Sequence, residues 1–164
     1  MITRRILLAI STSRYSRHLV DTAVQEVEKA KSSGHEVQLD VLAIVETDDL
    51  DRVSRSVGSE GFLGLGPQHD LLDALGREHN RMVRRRVDEI RIAASAREVA
   101  IAVVDVHGDF VETVIAQAQA LGSDVILVTR ADRPFISRIL FGSDADKVAR
   151  LAKRDGLGRV IIDE

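Results

Sequence analysis

Five short, mainly apolar runs alternate with stretches whose apolar residues recur at helical spacing, and few folds accommodate that alternation. Ile6–Ile10 has no polar interruption, as expected of a strand covered on both faces. Ser11, Thr12 and Ser13 follow as turn and helix cap. Leu19, Val20, Ala23, Val24, Val27 and Ala30 predict an amphipathic helix over 14–32, stopped by Ser33 and Gly34. Val37–Val45 is the second strand. Leu71, Leu72, Leu75, Met82, Val83, Val87, Ile90 and Ala94 predict a long helix over 70–96, and Val99–Val104 a third strand. Asp109 and Glu112 have capping-box spacing at the start of the next helix, with Val111, Val114, Ile115, Ala118 and Leu121 inward. Asp124–Val128 is the fourth strand. A last helix runs from Ser143 to about Lys153, before a final strand at Arg159–Ile162. This order predicts an α/β fold: a parallel sheet with right-handed crossovers and helices on both faces. Ligands of such sheets sit beyond the strands' carboxyl ends, where strand order reverses; for the order 3-2-1-4-5 that point lies between Ser11 and Thr129.

The candidate site is the stretch VILVTRADRPFISRILFGSDADKVARLA, residues 125–152. It reads as a strand, a polar loop and a helix opening at Gly142 and Ser143. Free N–H groups and the dipole at a helix start favour an anion there. Thr129 and Asp132 stand where a phosphate-cradling loop usually has glycine. A β-branched threonine resists the conformations glycine reaches, and a carboxylate opposes polyphosphate. Asp144 and Asp146 already complement the positive helix end, while Arg130, Arg133 and Arg138 offer compensating charge. Ser143 and Asp109 are both explained as helix caps.

Residues 46–69 lack periodicity and predict a surface excursion; otherwise 1–164 reads as one domain. GFLGLG, within that excursion, lacks the lysine and the preceding buried strand of a phosphate loop. The net charge of -3 gives no global pull toward nucleic acid, and aromatics at 3% provide no base-stacking platform. Arg81, Arg84, Arg85 and Arg86 then read as a solvated helix face near Asp88 and Glu89. With no cysteine, thiol catalysis and cysteine-based zinc sites are excluded, and a reducing compartment is expected. No apolar run approaches the ~20 residues of a membrane span, so the chain is expected in the cytoplasm. His18, His35, His69, His79 and His107 lack metal-ligand spacing, and Ser11, Ser13 and His18 do not form a triad pattern. No catalytic residue and no metal site are expected.

Four segments, in this order, resemble the universal stress protein family. RILLAISTS at 5–13 is similar to its first strand and turn. HGDFVETVIAQAQALGSDVILVT at 107–129 is similar to its glycine-aspartate helix and fourth strand. Residues 129–152 resemble its nucleotide loop and last helix, and 159–162 its final strand. The resemblance implies a Rossmann-like three-layer sandwich, strand order 3-2-1-4-5, and a homodimer through Val160, Ile161 and Ile162. An apolar edge strand invites such pairing. Nucleotide-binding members carry Gly-x2-Gly-x9-Gly-(Ser/Thr), which falls on Thr129, Asp132, Gly142 and Ser143, and an aspartate where this chain has Ser11. The last pair matches and the other three positions depart. The expectation is therefore a stress-response protein with a degenerate nucleotide pocket, no cofactor, and action through an unknown protein partner. The alternative is an ATP- or AMP-binding switch or weak ATPase, with magnesium. It would use Ser11, Thr129, Asp132, Gly142 and Ser143, with adenine against Ile44 and Val128.

Overall fold

The computed structural model describes residues 2–46, 65–130 and 143–164. The strands are β1 (Thr3–Ser11), β2 (Glu36–Glu46), β3 (Ile101–Gly108), β4 (Val125–Thr129) and β5 (Arg159–Asp163). The helices are α1 (Arg17–Ser32), α2 (Leu65–Ser95), α3 (Phe110–Leu121) and α4 (Asp144–Arg154). All five strands pair in parallel, in the order β3-β2-β1-β4-β5, which is the predicted topology.

The apolar runs have a simple cause. Successive side chains of a strand point to opposite faces. Ile6, Leu8 and Ile10 of β1 pack with Leu39, Val41 and Ala43 of β2 against α1 and α2. Leu7 and Ala9 pack with Leu42 and Ile44 against α3 and α4. A sheet with two cores leaves no face of its central strands for solvent. Fully burying each aliphatic side chain contributes roughly 1.5–3 kcal/mol. One carboxylate interrupts β2: Asp40 is buried, and the Arg5 guanidinium forks onto it at 2.9 to 3.1 Å. That bidentate pairing from the adjacent strand makes a charge tolerable there.

Several boundaries shift, and β3 runs to Gly108, four residues past its predicted end at Val104. The cap of α1 is Ser16, whose Oγ accepts from the Leu19 N–H at 2.9 Å, and not a residue of the Ser11–Ser13 turn. Ser11 and Ser13 are thereby freed for other partners. Glu46, read as the first residue of the excursion, ends β2, and residues 65–69 already belong to α2. Pro67 obscured that start, yet proline is tolerated in a first helical turn, where its missing N–H costs nothing. The remainder of the excursion lies outside the described residues. Gly158 brings β5 alongside β4: a Cβ there would lie 2.2 Å from the Ser123 carbonyl oxygen, so only glycine fits without backbone movement.

Candidate functional site

The site is built at the carboxyl ends of β1, β2 and β4 and the first turns of α3 and α4. Ser11 ends β1 fully buried and sits opposite Ile44 in register. Its Oγ donates to Glu46 Oε2 at 2.6 Å, and Ser13 Oγ donates to the same oxygen at 2.8 Å. Ile44 and Val128 are completely buried in the core shared with Phe110, Val114 and Val148, so their side chains are already covered by protein. Thr129 turns toward β5, donating to the Asp163 carbonyl at 3.1 Å. Ser143 caps α4: its Oγ accepts from the Asp146 N–H at 3.1 Å and donates to the Asp146 carboxylate. That donation, foremost, holds Asp146 below the usual carboxylate range. Asp132, Gly142, Arg133 and Arg138 lie outside the described residues.

At the centre stands a residue the sequence reading passed over. The Arg14 side chain is 1% exposed. Its guanidinium pairs with Glu46 at the end of β2 and with Asp144 at the start of α4. It also lies over the Phe110 ring, 4.4 Å from the centroid. One cation thus ties the loop after β1 to β2, α3 and α4. Burying a guanidinium is costly unless its charge and N–H groups are met; the two carboxylates each take one terminal nitrogen, while the buried Nε has no hydrogen-bond partner among the described residues. Arg14 therefore stands among the elements around the strand-order reversal, where an α/β sheet ordinarily admits a ligand. The sequence signal was available but faint: an arginine three residues after an apolar strand, and acids at the ends of two other elements.

A second cluster joins α1 to the last strand. Buried Asp163 accepts from Ser16 Oγ at 2.6 Å and pairs with Nδ1 of the exposed His18. The Asp163 hydrogen bond, then its charge, raises the His18 pKa above its ordinary value. Ser16 donates to Asp163 and not to His18, so the three groups do not form a nucleophile–base relay. Nearby, Arg86 turns inward, donating to the carbonyls of Ser11 and Thr12 and lying 4.9 Å from the Tyr15 ring centroid. Burial, reinforced by the bond to Glu89, pushes the Tyr15 hydroxyl pKa up. Arg86 and Glu89 thus leave the predicted solvated face, which keeps Arg81, Arg84 and Arg85 around a surface concavity with Asp88.

Arg130 is held by Asp146 at 3.2 Å and Glu164 at 3.0 Å, so its charge is committed to neighbouring acids. Among the described residues no group of three histidine, aspartate or glutamate side chains could hold a metal ion, and no helix is long and apolar enough to cross a membrane.

Parallel strands in this order with helices on both faces define a Rossmann-like α/β fold. The universal stress protein family model matches residues 3–155, and the chain belongs to that family. Similar solved structures include a universal stress protein in complex with cAMP, at 17% identity over 98% of this chain and 96% of that one, TM-score 0.59. Hypothetical protein MJ0577 is 14% identical over 99% of this chain and 96% of its own, TM-score 0.66. A universal stress family protein from Burkholderia pseudomallei is 22% identical over 97% and 94%, TM-score 0.56. A search of curated protein sequences returns no match.

Two predictions follow from the charges. Arg14→Met removes the cation of the buried Glu46 carboxylate, while Asp144 keeps Lys147, and should destabilise the fold by ~3 kcal/mol in urea unfolding at neutral pH. Adding Glu46→Gln should recover part of that loss, whereas an Arg14→Met cost below ~1 kcal/mol would show the pair to be idle. His18 has a raised folded-state pKa, so its contribution is full below the unfolded value near ~6.5 and is lost as pH rises through the folded value. The melting-temperature advantage of wild type over His18→Gln should be greatest in the acid range and shrink as pH climbs; a gap independent of pH refutes the tether.

Proposed function

We propose that this chain is a homodimeric, cytoplasmic stress-response regulator that works through protein contacts and whose nucleotide pocket is closed by its own Arg14. The supporting observation is the buried guanidinium between Glu46, Asp144 and Phe110. A ligand entering beyond β1 and β2 would have to displace the Arg14 ion pairs and leave the buried Glu46 carboxylate without its cation, while Asp144 keeps Lys147 at 3.3 Å. The α4 start opposes phosphate as well. Ser143 is engaged with Asp146, and Asp144 and Asp146 already place negative charge at the helix's positive end. With Ile44 and Val128 enclosed in the core, an adenine ring has no face of either to lie on.

Calorimetric titration with ATP and AMP, with and without magnesium, tests the closed pocket. No heat and no thermal shift are expected from the wild-type protein at millimolar nucleotide; micromolar binding would overturn the reading. The second reading, a nucleotide switch or weak ATPase, is favoured by the cAMP bound to one structural relative. It requires Arg14 to swing away from both acids and act as a counter-ion to phosphate, and micromolar affinity in the same titration would establish it.

The homodimer reading rests on β5. Among the described residues it is an edge strand paired only with β4, and Val160, Ile161 and Ile162 are each half-buried in the single chain. A second copy would cover the edge and give a two-fold interface. Sedimentation velocity should give a dimer for wild type and a monomer for Ile161→Asp. A wild-type monomer at tens of micromolar would remove the dimer from the proposal.

A further inference from the structure

At the opposite end of the sheet from Arg14, a cleft of about 320 Å3 opens between the C-terminal half of α1 and the starts of β1, β4 and β5. Three cationic side chains line it, Arg4, Lys29 and Arg159, against two carboxylates, Glu26 and Asp124. Both carboxylates are committed. Glu26 accepts from Arg159 at 2.7 Å, and Asp124 accepts from Arg4 at 3.3 Å and from the Arg5 backbone N–H at 2.8 Å. Lys29 has no ion-pair partner among the described residues, and the lining His35 has a buried Nδ1 with no hydrogen-bond partner. A buried ring nitrogen without a protein partner calls for solvent or a ligand to complete it. Between these polar groups the lining is apolar, from Ile6, Ala30 and Val125.

We propose that this cleft binds a small organic anion, with its carboxylate or phosphate at Lys29 and His35 and a compact apolar body over the half-buried Ala30 and Val125. The charge balance sets the sign. With both acids neutralised by arginines, a cationic ligand finds no free carboxylate, whereas an anion finds an unpaired ammonium. Arg4 and Arg159 assist, because each is held by its acid and keeps further N–H donors. The apolar lining sets the shape: a bare inorganic anion would leave it wet and gain nothing from it. The volume lies at the small end of the ~300–1,000 Å3 typical of ligand sites. This site shares no residue with the Arg14 pocket, so it stands or falls independently of the closed-pocket reading.

The test is a 15N-edited NMR titration of the intact protein with phenyl phosphate, benzoate and inorganic phosphate in parallel. Saturable shifts at Lys29, Ala30, His35 and Asp124 are expected from at least one aromatic anion, and much weaker ones from inorganic phosphate. Whichever aromatic anion binds identifies the preferred head group. Lys29 is exposed, so Lys29→Gln should keep the fold, verified from its own spectrum, and weaken binding about tenfold, the effect of losing one charge-assisted contact. Lys147→Gln, outside the cleft, should bind as wild type does. The proposal is overturned by the absence of saturable shifts, by shifts centred elsewhere, by equal binding of inorganic phosphate, or by undiminished binding to Lys29→Gln.

Discussion

The carboxyl end of the sheet depends on one buried cation. β1 delivers Arg14 into a space bounded by β2, α3 and α4, and no water can solvate a guanidinium that is 1% exposed. Its charge must be met by protein, and it is met twice, by Glu46 and Asp144, with the face of Phe110 beneath it. The serines around it follow from this. Glu46 presents one carboxylate oxygen to Arg14 and the other to Ser11 and Ser13, so its lone pairs are used in a setting where an unused one is expensive. The cap at Ser16 and the ion pair at Arg14 are consistent parts of one arrangement.

The same arrangement gives physical content to the departures from the nucleotide motif. An aspartate at the position of Ser11 would face Glu46 at hydrogen-bond distance, and two like charges buried there would repel. Serine donates where aspartate could only accept. Thr129 likewise has a structural use: its hydroxyl reaches the Asp163 carbonyl and so joins β4 to the end of β5, which glycine could not do. Ser11 and Thr129 are thus each engaged by a partner within the chain.

The fold was legible because its signal is collective. Ile6–Ile10 and Val125–Val128 are unbroken because both sheet faces are covered, and many residues repeat that message along the chain. Periodicity also fixed the inner faces of α1 and α3. The site was less legible because its signal is pairwise and non-local: Arg14 meets Asp144 across 130 residues, and neither side of that pairing is periodic. A lone arginine after a strand looks the same in sequence whether it is solvated or buried. The Arg81–Arg86 run shows the converse. As text it is one basic cluster, but helical geometry turns Arg86 inward to the Ser11 and Thr12 carbonyls and leaves its neighbours outside.

Asp163 connects this network to the edge of the sheet. It ends β5, lies opposite Thr129, and accepts from Ser16 at the cap of α1 while holding His18 on the helix's first turn. A change in His18 protonation therefore acts on the junction between α1 and the last residue of β5. Arg14 lies two residues before that cap, so the loop carrying the buried cation and the cap carrying the titrating tether are the same short segment. Proton uptake by His18 strengthens its pairing with Asp163 and so bears on the junction between the α1 cap and the end of β5.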